Sequence, residues 1–129
     1  MITVYAVPFF EWVLGADDHP KSIKARNKLA MKYLATGQAS KAIPLYRQTL
    51  IDCQRTVGTF HPSAMASRIN LATSYRAAGQ PDKAISLLER TLADCERVLG
   101  ANHPTTKAAR ADLAALTDES QAAAANRPT

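Results

Sequence analysis

Residues 70–104, NLATSYRAAGQPDKAISLLERTLADCERVLGANHP, contain the end of one helix, a stop, a complete second helix and the start of a third. Gly79 ends the first helix as a left-handed cap, a conformation glycine adopts without a Cβ penalty. Pro81 and Asp82 open the second, with the acid at the positive end of the helix dipole. Its apolar stripe, Ala84, Ile85, Leu88, Leu92 and Cys95, recurs at helical spacing, and Gly100 ends it. His103-Pro104 then starts another helix. Proline suits the first helical position, and it pushes the residue before it out of the α region. Upstream, Pro62 opens the first helix of this pair, and its small or apolar residues fall at Met65, Ile69, Leu71, Ala72 and Tyr75.

The same text occurs twice. His-Pro stands at His19-Pro20, His61-Pro62 and His103-Pro104, each 42 residues from the last, and Gly37-Gln38 repeats as Gly79-Gln80. Residues 17–58 laid on 59–100 give nineteen identities in 42 positions, among them Leu29/Leu71, Ala30/Ala72, Tyr33/Tyr75, Ala42-Ile43/Ala84-Ile85, Asp52-Cys53/Asp94-Cys95 and Gly58/Gly100. A period of this length signals a stacked repeat architecture. The expected organisation is a degenerate N-terminal helix at 1–15, a first repeat at 16–58 with helices near 21–35 and 40–56, and a second at 59–100. A half repeat at 101–117 follows, its helix running to about Leu116, then a flexible tail at 118–129 where the pattern is lost, although its alanines could extend the helix. Glu11-Trp12-Val13-Leu14-Gly15 aligns with Glu96-Arg97-Val98-Leu99-Gly100, the stump of a preceding second helix. Pro44, near the start of its helix, is expected to bend it rather than break it.

At 129 residues there is room for one domain. Aromatics are few at 6%, while alanine is abundant, which suits helices that approach closely through small side chains. No apolar run is long enough to cross a bilayer. The apolar start MITVYAVPFFEWVL lacks a basic leader and is interrupted by Glu11 and Trp12, so it does not read as a secretory signal. Two cysteines without a CxxC motif fit a reducing compartment, and the cytoplasm is the expected location. The net charge of +5 is concentrated in residues 17–58, which alone carry eight Lys/Arg against three Asp/Glu. That asymmetry favours an acidic partner patch at the N-terminal end.

These residues resemble the tetratricopeptide repeat, in the 42-residue variety found in kinesin light chains and many bacterial arrays. Leu-Ala-x-x-Tyr appears as Leu71-Ala72 with Tyr75 and as Leu29-Ala30 with Tyr33; the Gly-x-x-x-x-Ala turn appears as Gly79 with Ala84 and Gly37 with Ala42. The resemblance covers about residues 11–116. It implies an all-α fold, an α-solenoid of stacked antiparallel helix pairs wound into a superhelix, with about five helices plus the degenerate first one. It also implies that the first helix of each pair lines a concave groove that takes a peptide or a helix of another protein. The groove positions would be Lys24, Asn27, Lys28, Met31 and Leu34 in unit one, and Ile69, Asn70, Thr73 and Arg76 in unit two. Unit three would add Ala108, Ala111, Asp112 and Ala115. In relatives an asparagine at the Asn70 position can hold a bound peptide's backbone, and Lys24, Lys28 and Arg76 would steer carboxylates.

Other function classes fit less well. There is no GxGxxG, P-loop, HExxH or GxSxG, so no catalytic residue and no cofactor is expected. The three His-Pro histidines are separated by whole helix pairs, whose axes stand ~8–10 Å apart, while zinc needs ligands at ~2 Å. A turn histidine serving a local backbone group is the simpler role, and no metal is expected. The same separation argues against a Cys53–Cys95 disulfide, whose Cα atoms would have to lie within ~7 Å; both read as small buried residues. Asp52, Asp94 and Glu96 recur with the repeat and read as surface features. Nucleic-acid binding draws on Lys21, Lys24, Arg26, Lys28 and Lys32, yet the only aromatic beside them is Tyr33, which the repeat assigns to the core. A further reading is a sensor or assembly segment of a larger bacterial signalling NTPase, and open repeat ends leave room for a homo-oligomer.

Overall fold

The structure, a computed structural model, describes residues 19–126, with side chains from Ile23 onward. The helix expected at 1–15 lies outside the described residues, as does the His19 side chain. Five helices follow in order: α1 (His19–Ala35), α2 (Ala39–Thr56), α3 (Pro62–Ala77), α4 (Pro81–Val98) and α5 (Pro104–Ala125). The described residues contain no strand. Each helix packs on the next, and α3 also touches α5, so the chain is an all-α helical solenoid.

Local sequence sets the boundaries. His61 and His103 are extended (φ −67°, ψ 143° and φ −66°, ψ 139°), and the proline after each occupies the first turn. The imidazoles serve as the caps: His61 Nδ1 accepts from the Ser63 N–H at 3.0 Å, and His103 Nδ1 from the Thr105 N–H at 3.1 Å. Each bond satisfies one of the amides that a helix start leaves without an intrahelical partner. At the other end of α3, Gly79 takes φ 80°. The Gln80 N–H reaches the Tyr75 carbonyl at 2.8 Å and the Gly79 N–H reaches Arg76 at 3.1 Å, the paired bonds of a Schellman cap. A methyl group at Gly79 would meet no atom within 4 Å, so glycine is required there by the backbone and not by space. The α2 helix runs unbroken through Pro44, whose missing N–H would have served Ser40 in the exposed first turn.

The core has two clusters. One holds Ala30, Ala42, Ile43, Tyr46 and Leu71; the other holds Ile69, Ala72, Ala84, Leu88, Ala109 and Leu116. Tyr75 and Leu87 touch both. Ala30, Ala42, Ala72 and Ala84 are all fully buried, and alanine there leaves least space between the two helices of a pair. Tyr33 and Tyr75 are half-buried against these clusters. Each carries a lysine over its ring, Lys41 and Lys83 respectively, both at 5.7 Å from the centroid.

One boundary differs from the sequence reading. The flexible tail expected at 118–129 is helical as far as Ala125, because α5 continues through the stretch AAAA with its high helix propensity. Leu116 at 2% exposure anchors that helix in the second cluster, and Glu119 one turn on pairs with Arg76 of α3.

Candidate binding face and its relatives

α1, α3 and α5 are the first helices of the three units. On α1, Lys24 and Lys28 are exposed and Met31 is 57% exposed, unusually open for its size. Asn27 is half-buried, with its Oδ1 buried and without a hydrogen-bond partner among the described residues. On α3, Asn70 is half-buried and Thr73 is exposed, its hydroxyl donating to the Ile69 carbonyl at 3.1 Å. Arg76 is exposed and paired with Glu119. On α5, Ala108, Ala111 and Ala115 are exposed and Asp112 is half-buried. Burial pushes the Asp112 carboxyl above the usual aspartate range, against a lowering pull from the Arg76 guanidinium.

The repeat brings some of these together. Lys28, Asn70 and Asp112 occupy one repeat position, and Met31, Thr73 and Ala115 another. The first set runs from a cation in unit one, through an amide, to an acid in unit three. Positions 24, 27, 28, 31 and 34 differ from their counterparts 66, 69, 70, 73 and 76 in every case, so none of the nineteen identities falls on this face. The identities include the packing residues Leu29/Leu71, Ala30/Ala72 and Tyr33/Tyr75 and the turn pairs His-Pro and Gly-Gln.

Two expected positions do not belong to an open face. Ile69 is only 8% exposed and sits in the second core cluster with Ala109 and Leu116, because α5 covers that side of α3. Leu34 is half-buried and packs against the first cluster.

The acids expected on the surface also need correcting. Arg26 pairs with Asp52, and Arg68 with Asp94 at 2.7 Å, each across 26 residues from the first helix of a unit to the second. Asp52 and Arg68 are buried at 8% and 9% exposure. Asp52 also accepts from Gln48 at 3.2 Å, and Arg97 reaches Asp94 at 3.4 Å. The Arg68 guanidinium holds the Asp94 carboxyl below the usual aspartate range. The available signal was that the arginine repeats as well as the aspartate, at a fixed separation. Glu96, in contrast, is exposed.

Both cysteines are free and buried: Cys53 Sγ lies 3.8 Å from Ser67 Oγ and Cys95 Sγ 3.2 Å from Met65 Sδ. Burial pushes the Cys95 thiol up, away from thiolate chemistry. The described residues contain no group of three His, Cys, Asp or Glu that could hold a metal, and no described helix is long and apolar enough to cross a membrane.

The sequence matches the tetratricopeptide repeat family over residues 22–96 and again over 62–126. Among solved structures it is similar to the nearly identical TPR-like repeats of a Podosopora anserina protein described as a kinesin light chain, and to a point variant of that protein. Both show 32% identity and a TM-score of 0.71, over 81% of this chain and 49% of theirs, so the chain spans about half the length of the structures it matches. Comparison with curated proteins gives no match. Tetratricopeptide repeats are in general protein–protein interaction scaffolds and typically not enzymes. By its helix pairs, its 42-residue period and these matches, the chain belongs to the tetratricopeptide repeat family, in its kinesin-light-chain type.

Proposed function

We propose that the chain is a non-catalytic scaffold that binds a peptide or helix of another protein along the face shared by α1, α3 and α5. The observation that carries this reading is the divergence of that face between units that share packing residues such as Leu29/Leu71, Ala30/Ala72, Ala42/Ala84 and Cys53/Cys95. Those residues recur, while Lys28, Met31, Asn70 and Thr73 vary and remain wholly or partly open. The Asn70 amide makes no hydrogen bond among the described residues, which leaves both its donor and its acceptor for a guest backbone. Lys24 and Lys28 at one end and Asp112 at the other favour a guest with acidic residues over α1 and a cation toward α5. The structure weakens the basis for nucleic-acid binding, because Arg26, counted in the basic cluster, turns toward Asp52.

The test is Asn70→Ala combined with Lys28→Glu. Neither side chain sits in either core cluster, so the circular-dichroism melt should stay within about 0.5 kcal/mol of wild type. Capture of protein partners by the immobilised chain should fall. Loss of folding together with capture would make these residues structural, and undiminished capture would place the binding face elsewhere.

A further inference from the structure

A groove of about 410 Å³ opens in the middle of the stack, where α3 and α4 meet. Leu71 and the half-buried Tyr75 and Leu87 make its floor, and Lys83, Ser86 and Arg90 its exposed rim. α2 adjoins it: Leu87 also packs against the first core cluster, and Arg47 of α2 donates to the Tyr75 hydroxyl at 2.9 Å. Among the described residues, Arg26, Arg68, Arg76, Arg97 and Arg110 each pair with a carboxylate, while Arg47, Arg55 and Arg90 do not. Two of those three stand at this groove. Arg47 uses one of its five N–H donors on a neutral hydroxyl, and the Lys83 ammonium lies over the Tyr75 ring. Asp82 is the one acid among the lining residues, and it lies in the first turn of α4, about two turns before Arg90. The repeat does not require these arginines. Leu71, Tyr75, Lys83 and Leu87 recur in unit one as Leu29, Tyr33, Lys41 and Leu45, but Arg47 and Arg90 have Glu89 and Gln48 at their repeat positions.

We propose that this groove docks a short segment of another protein in which a leucine-like side chain is flanked by a carboxylate. The chemistry of the occupant follows from the lining. The apolar floor takes a branched aliphatic side chain, and the few polar groups around it fix the orientation. The cations set the flank. A carboxylate there accepts paired N–H bonds from Arg90, and it reaches the donors of Arg47 that Tyr75 leaves over. Bonds between ions are stronger than the neutral one Arg47 makes to Tyr75, so the guest adds what the chain's own residues do not supply. Asp82 repels an acid at the start of α4, which directs the acidic end of the guest toward Arg90. None of Lys28, Met31, Asn70, Thr73 and Asp112 lines this groove, so it and the scaffold face can fail separately.

The probe is a capped synthetic peptide, Ser-Gly-Leu-Glu-Leu-Glu-Gly-Ser, titrated into the isotope-labelled full chain and followed by backbone NMR. The expected result is saturable binding with shifts concentrated at Ser86, Leu87 and Arg90. Glutamine in place of both glutamates of the peptide, or Arg90→Gln in the chain, should each weaken binding about tenfold. Serine in place of both leucines should weaken it at least as much. Ser86→Glu sets a carboxylate on the rim and should abolish binding; both positions are exposed, so each variant should melt with wild type. Lys28→Glu, on the other face, should leave the affinity unchanged. Three results would overturn the proposal: no saturable shift at millimolar peptide, affinity indifferent to Arg90→Gln and Ser86→Glu, or shifts centred on Lys28 and Asn70. The last would mean that the acidic peptide prefers the scaffold face.

Discussion

Ala72 on α3 and Ala114 on α5 hold the same place in successive repeats, and one is sealed from water while the other is exposed. Arg68 and Arg110 differ in the same way. The residue types are identical; what separates them is the set of helices packed on α3, with α4 over Ala72 and Arg68. In a stacked repeat, the energetic weight of a position is therefore set by its neighbours in the array more than by its own identity.

The largest effect that would test this contrast comes from placing one charge at both positions. Ala72→Glu should cost about 3 kcal/mol or more, since a carboxylate would enter a helix–helix contact with no room and no partner. Ala114→Glu should stay within about 0.5 kcal/mol. Urea melts of both variants decide it, and equal losses would mean that α5 is already covered in solution.

The arginines give the next step down. Arg68→Ala leaves Asp94 without its main partner and should lower stability by about 1.5–3 kcal/mol, whereas Arg110→Ala should be near neutral. Asp94 also predicts a pH dependence. Its carboxyl is held below the ordinary aspartate range in the folded chain, so the ion pair contributes fully above that range. The contribution is lost as pH falls through the ordinary range and below it. Between pH 5 and pH 2, wild type should lose more stability than Asp94→Asn, measured by denaturant midpoint at each pH.

The smallest effect concerns the caps. His61→Ala should cost about 1 kcal/mol by removing the Nδ1 acceptor of the Ser63 amide. His103→Ala should cost less, because α5 is covered on fewer sides than α3. Equal losses would show that the stack transmits end and middle perturbations alike.

Much of this was legible in the chain alone. The His-Pro and Gly-Gln pairs placed the helix starts and stops to within about two residues, because caps and proline act through the backbone of their own neighbours. The tyrosines, alanines and cysteines were assigned inward from the repeat, and they lie there or half-way in. Asn70 and Lys28 were named from the family pattern and remain at least partly open, but Ile69, named with them, is buried. One helix face holds both kinds of position, and a sequence spacing cannot tell which edge of the face the next unit will cover.

The sequence by itself determined the repeat, the helix pairs, their caps and the stripe of small residues on which they meet, since each follows from bonds and torsions within a few residues. Tertiary structure alone decided that Asp52 is buried beside Arg26, that Glu119 meets Arg76, and that Arg110 is exposed where Arg68 is not. These outcomes depend on which helix lies across which, and burial and pairing between residues 26 or more positions apart exist only once the helices have stacked.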